Sequence, residues 1–89
     1  MDTGKLPFIE EYLGGDVYIR VFDENESEFE WHRDAEDRIV ELIDTTDWLF
    51  QFDDALPFMI DDIIFIPKET YHRIIKGDLG LKLRITKIK

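Results

Sequence analysis

From Val17 onward, short alternating or continuous apolar segments follow one another with a few polar residues between them: 17–22, 28–32, 38–43, 48–52, 63–66, 71–76 and 81–88. β-Branched and aromatic residues dominate these segments, and a period of two describes them better than a helical period. Stretches such as Asp23-Glu24-Asn25-Glu26-Ser27, Asp44-Thr45-Thr46-Asp47 and Gly77-Asp78-Leu79-Gly80 bend or solvate the backbone between them. No strand-helix-strand pattern intervenes, so the arrangement predicts an all-β, antiparallel sandwich or barrel. Ahead of it, Pro7 leads Phe8-Ile9-Glu10-Glu11-Tyr12-Leu13 into Gly14-Gly15, with proline at the start and glycine at the stop. That punctuation predicts one or two helical turns, or an irregular segment, within 1–15, plugging one end of a barrel over 16–89.

A chain of 89 residues makes a single domain with one small core. Its 44% hydrophobic and 13% aromatic content separates it from a disordered acidic tail. The net charge of -10 argues against nucleic acid and against anionic membrane surfaces, and favours a cation or a basic partner. Acidity of this size also serves solubility alone. With no cysteine, disulfides, thiolate catalysis and cysteine zinc sites are excluded. The N-terminus carries no signal pattern and no apolar run reaches membrane-span length, so the expectation is a cytoplasmic protein.

Two segments carry chemistry. Asp61-Asp62-Ile63-Ile64-Phe65-Ile66-Pro67-Lys68-Glu69-Thr70-Tyr71-His72 joins an apolar strand, a proline-led turn and a histidine opening the next strand. It resembles the second motif of the cupin superfamily, in which Gly-Asp, an apolar strand and Pro-x-Gly precede a histidine. Asp61 and Glu69 stand where that motif has glycine, so the turn must be made at some strain. Upstream, His32-Arg33-Asp34-Ala35-Glu36-Asp37-Arg38 is similar to the first cupin motif, two histidines one residue apart followed by a glutamate. Asp34 takes the place of the second histidine, and Arg38 falls near the glutamate position. The pattern also resembles small cupin-like proteins of phage and marine microbial origin. What the resemblance implies is a jelly-roll β-barrel, more strongly than any activity.

His32 and His72 are the only histidines, and with Asp34 they have the composition of a two-histidine-one-carboxylate face for Fe, Mn or Ni. Zinc suits the same ligands when water completes four-coordination. Alternation sets a different reading beside it: Phe29 and Trp31 share the apolar face, which turns His32 to solvent unless the strand ends or bulges there. His72 equally suits a buried, hydrogen-bonded role.

Arg38, Gln51 and Arg73 are the candidates for orienting a substrate. The cluster Arg33, Asp34, Glu36, Asp37, Arg38 also reads as a solvated turn of mixed ion pairs. Trp48, Phe50 and Phe52 form a core face, with Gln51 on the other side of that strand. Arg84 and Thr86 are spaced like the cosubstrate-holding pair of 2-oxoglutarate oxygenases, yet they alternate with Leu81, Leu83 and Ile85 as a solvent face does. The expectation is a cupin-like barrel, homodimeric because so small a sheet leaves edges to shield, binding a divalent metal and a small molecule. The alternative is a non-catalytic acidic module that has lost its metal and meets a protein partner.

Overall fold

The computed structural model describes residues 8–22 and 31–88, and no described residue is helical. Eight strands run in chain order: β1 (Phe8–Gly14), β2 (Val17–Phe22), β3 (Asp37–Leu42), β4 (Leu49–Phe52), β5 (Phe58–Met59), β6 (Ile63–Ile66), β7 (His72–Ile75) and β8 (Leu81–Ile88). They form a five-stranded sheet in the order β1-β2-β8-β3-β6 and a three-stranded sheet in the order β5-β4-β7. Every pairing is antiparallel. The result is the all-β antiparallel arrangement expected of this strand pattern, with the jelly-roll form that the resemblance implied, and among the described residues no helix is long and apolar enough to cross a membrane.

The core lies between the two inner faces. Tyr18 and Phe22, Val40, Ile64 and Ile66, and Leu81, Leu83 and Ile85 come from the large sheet, while Phe50 comes from the small one, with Trp48 just before it. Leu81-x-Leu83-x-Ile85 alternates with exposed Lys82 and Arg84, the pleat turning every second side chain inward. Arg84 therefore lies on the outer face of β8, as alternation predicts for an ordinary solvent position.

One expectation fails. The segment over 8–13 is not a helical plug but the edge strand β1, paired with β2 from Phe8↔Phe22 to Gly14↔Val17. The glycines read as a helix stop make the hairpin turn: Gly14 and Gly15 have φ of 108° and 59°, values glycine adopts without the clash a Cβ brings. Strand β5 also escaped the sequence reading, because two residues beside Pro57 carry no periodicity. The expected strand over 28–32 lies largely outside the described residues. Its described end, His32, forms an antiparallel bridge with His72.

Candidate metal centre

The second motif folds as its sequence suggests. β6 is the apolar strand, Pro67 to Thr70 the turn, and His72 the first residue of β7. Glu69 occupies the left-handed region at φ 59°, the strain foreseen from its standing in a glycine position. Backbone bonds fasten this turn to the first motif: Glu69 N–H donates to Asp34 O at 2.7 Å, and Lys68 N–H to Asp37 Oδ1 at 2.7 Å. Two segments more than thirty residues apart in sequence thus hold each other in register.

His32 and His72 exchange both backbone bonds, at 3.0 and 2.9 Å. Directly opposed residues of an antiparallel pair present side chains to the same face, so the bridge aims both imidazoles together. Their ring centroids are 4.3 Å apart. This resolves the alternation problem: His32 remains exposed at the barrel mouth, yet it lies beside His72.

His72 is only 4% exposed and stacks on Phe50, with ring centroids 5.5 Å apart. Its Nδ1 lies 2.9 Å from the Thr70 carbonyl, which can only accept, so Nδ1 carries the proton and Nε2 of the neutral ring presents a lone pair. Burial pushes the imidazole below the usual histidine range. The Thr70 carbonyl opposes that shift, His32 adds to it, Asp34 opposes it and Arg38 adds to it, in decreasing order. The neutral form is favoured.

Nε2 of His72 faces Asp34 Oδ2 at 3.5 Å. The other oxygen, Oδ1, is held by the Arg38 guanidinium at 3.3 Å, and Arg38 is itself fixed by Glu36 Oε2 at 2.8 and 2.9 Å. Asp34 Oδ2 is buried and has no hydrogen-bond partner, the one such side-chain atom among the described residues. A lone pair and a carboxylate oxygen thus confront each other with no proton between them. Ligand atoms of His32, Asp34 and His72 all lie within 4.8 Å of one another.

Of the three residues expected to orient a substrate, only Arg38 lies at this centre, where it holds Asp34. Arg73 and Gln51 are registered opposite one another on β7 and β4, one residue from His72 and Phe52, which places them on the outer face. There Arg73 Nε donates to Gln51 Oε1 at 2.9 Å and its guanidinium lies 4.7 Å from the Trp31 ring centroid. The pairs of Arg38 with Asp34 and Glu36 are mixed ion pairs of the kind read for the 33–38 cluster, whereas the Thr70 carbonyl, which sets the His72 tautomer, received no role from the sequence.

No protein-family model matches the sequence, and no curated protein matches it. Among solved structures, a cupin domain from Bordetella pertussis Tohama I superposes with a TM-score of 0.66 at 15% identity, over 98% of this chain and 99% of that one. The fold is that of a cupin. A cupin-2 domain-containing protein from Shewanella frigidimarina gives 0.65 at 19% identity, covering 98% of this chain and 84% of that one. A cupin superfamily protein from Desulfitobacterium hafniense gives 0.64 at 19% identity, covering 100% and 84%. At these identities the likeness carries the cupin fold alone, and the chemistry rests on the side chains described above.

Proposed function

We propose that His32, Asp34 and His72 hold a divalent transition metal and that this cupin barrel binds or transforms a small molecule there. The observation that carries the reading is the buried, unpartnered Oδ2 of Asp34 facing the bare Nε2 of His72. Buried polar atoms in folded proteins almost always have partners, and a cation is the partner that two facing acceptors require. The N–H from His72 to a backbone carbonyl is the outer bond that metal-ligating imidazoles characteristically make.

Two imidazoles and a carboxylate suit Fe(II), Mn(II), Ni(II) or Zn(II), and leave positions for water or substrate. A metal so held supplies Lewis acidity toward an oxygen of the bound molecule. The chain's own contribution is to fix one carboxylate oxygen on Arg38, to keep His72 neutral by burial, and to exclude water from its inner side with Phe50. The test is elemental analysis of untagged wild type beside Asp34→Asn and His32→Ala. Near-stoichiometric metal in the wild type and its loss in both variants supports the reading. A wild type that takes up none of the four metals overturns it in favour of a metal-free binding module.

The accompanying homodimer is supported by Ile63 and Phe65, both more than half exposed on β6 at the edge of the large sheet. Sedimentation velocity showing a monomer at micromolar concentration is the result that removes it.

A further inference from the structure

The inner face of the large sheet changes character along its length. On β8, Leu81, Leu83 and Ile85 are buried, and the next residue on the same face is Lys87. On β2 the same face carries Tyr18 and Arg20, and on β1 Glu10 and Tyr12 stand opposite Arg20 and Tyr18. Beyond the apolar core these side chains line a cleft of about 320 Å³, with Asp16 at its rim. That volume lies at the lower end of the range for small-molecule sites.

The charges in the cleft are unequally satisfied. Arg20 is committed to Glu10, at 2.5 and 2.7 Å, and to the Tyr18 hydroxyl at 3.3 Å. Lys87 lies with its ammonium 5.3 Å from the Tyr18 ring centroid, and among the described residues no carboxylate is within ion-pair distance of it. Lys87 is also registered directly opposite Arg38 across β8 and β3. Arg38 is already compensated by Asp34 and Glu36, which leaves Lys87 as the cation on this face with no carboxylate of its own.

We infer that the cleft binds the carboxylate of a small organic acid, its acid group on Lys87 and its apolar or aromatic body against Tyr12 and Tyr18. Glu10 and Asp16 balance Arg20 and Lys87, so the lining has no net positive charge and a singly charged carboxylate suits it better than a doubly charged phosphate. Binding of the acid does not rest on the metal reading.

The test uses chelator-treated, ¹⁵N-labelled full-length protein titrated with benzoate and, as a neutral control, benzyl alcohol. The expected result is saturable benzoate binding that moves the amide signals of Tyr12, Gly15 and Lys87, with benzyl alcohol far weaker. Lys87→Gln weakens benzoate by about tenfold, as loss of a charge-assisted bond does, and Lys87→Arg retains it. Asp34→Asn binds as wild type does, which separates this cleft from the metal centre. The inference is overturned by no saturation up to about 10 mM benzoate, by equal affinity in Lys87→Gln, or by loss of binding in Asp34→Asn. Benzoate binding by a protein that takes up no metal overturns the metal reading and leaves the cleft standing.

Discussion

The two ends of the barrel use the same residue types to opposite effect. At one end, where β8 begins, Asp47 accepts the backbone N–H groups of Asp78 and Leu79 at 2.8 and 2.9 Å, the Thr46 hydroxyl donates to Gly80 O at 2.8 Å, and the Trp48 indole donates to Leu79 O. Trp48 is fully buried beneath this network and packs on Phe22, with ring centroids 5.8 Å apart. At the other end Asp34 has one oxygen on Arg38 and one buried against a lone pair. A carboxylate whose acceptors are filled by backbone donors ties two loops together. A carboxylate left half-filled beside two imidazoles is arranged for something the chain does not itself supply.

The largest effect belongs to the closed end. Trp48→Ala removes a completely buried indole and is expected to cost about 3–5 kcal/mol. For a domain of this size each kcal/mol lowers Tm by about 4–8 °C, so this variant is at or beyond the edge of folding. His32→Ala, exposed at the open end, should change stability by no more than about 0.5 kcal/mol while abolishing metal uptake. Thermal denaturation of the two metal-free variants checks the contrast. Comparable losses in both would mean that the open end is structural as well.

Next in size is the response to metal. A ligand present at a hundred times its dissociation constant stabilises the native state by about 2.7 kcal/mol. Wild type in excess Zn(II) or Ni(II) should therefore melt higher by about 11–22 °C, and Asp34→Asn should not. An equal shift in Asp34→Asn would trace the stabilisation to scattered surface carboxylates, which are numerous in a chain of net charge -10.

Glu69→Gly is smaller and opposite in sign. A non-glycine residue in the left-handed region costs roughly 1–2 kcal/mol, and glycine recovers that less its own chain entropy. The exposed Arg33–Glu69 pair at 3.3 Å adds little to set against it. A gain of about 1 kcal/mol in urea denaturation is expected, and a loss would show that the turn relies on the glutamate side chain.

This substitution also marks where the sequence was legible. Strands 17–22, 63–66 and 81–88 were read to the residue, since alternation and β-branched content act locally along a strand. The turn strain at Glu69 followed from a single unmatched motif position. The convergence of His32 with His72 did not, because it depends on a cross-strand bridge between segments forty residues apart, and alternation within either segment is silent about that. Gly14-Gly15 was misread because glycine ends a helix and makes a hairpin by the same freedom at positive φ. Gln51 and Arg73 were placed near the site by composition, although their parity relative to Phe52 and His72 already assigns them to the outer face. The same count, carried one step past Ile85, puts Lys87 on the inner face where Lys82 and Arg84 do not lie.

The smallest effect is the way the two ends respond to acid, and it bears most directly on how they differ. Burial lowers the His72 pKa from about 6.5, so the unfolded chain binds a proton more readily than the native one. The metal-free protein should hold full stability from this source above about pH 6.5 and lose it gradually as pH falls below that value, levelling off once native His72 protonates. Asp47 is shifted for a different reason: the Asp78 and Leu79 amides favour its charged form, lowering its pKa from 3.8. Its contribution is present above pH 3.8 and is lost only as pH falls below it. Urea denaturation between pH 7.5 and 3 should therefore show two separate declines. His72→Gln removes the upper one and Asp47→Asn the lower. A single decline below pH 4 in wild type would mean that native and unfolded His72 take up their protons alike, and burial would then no longer explain why its Nε2 is free to face Asp34.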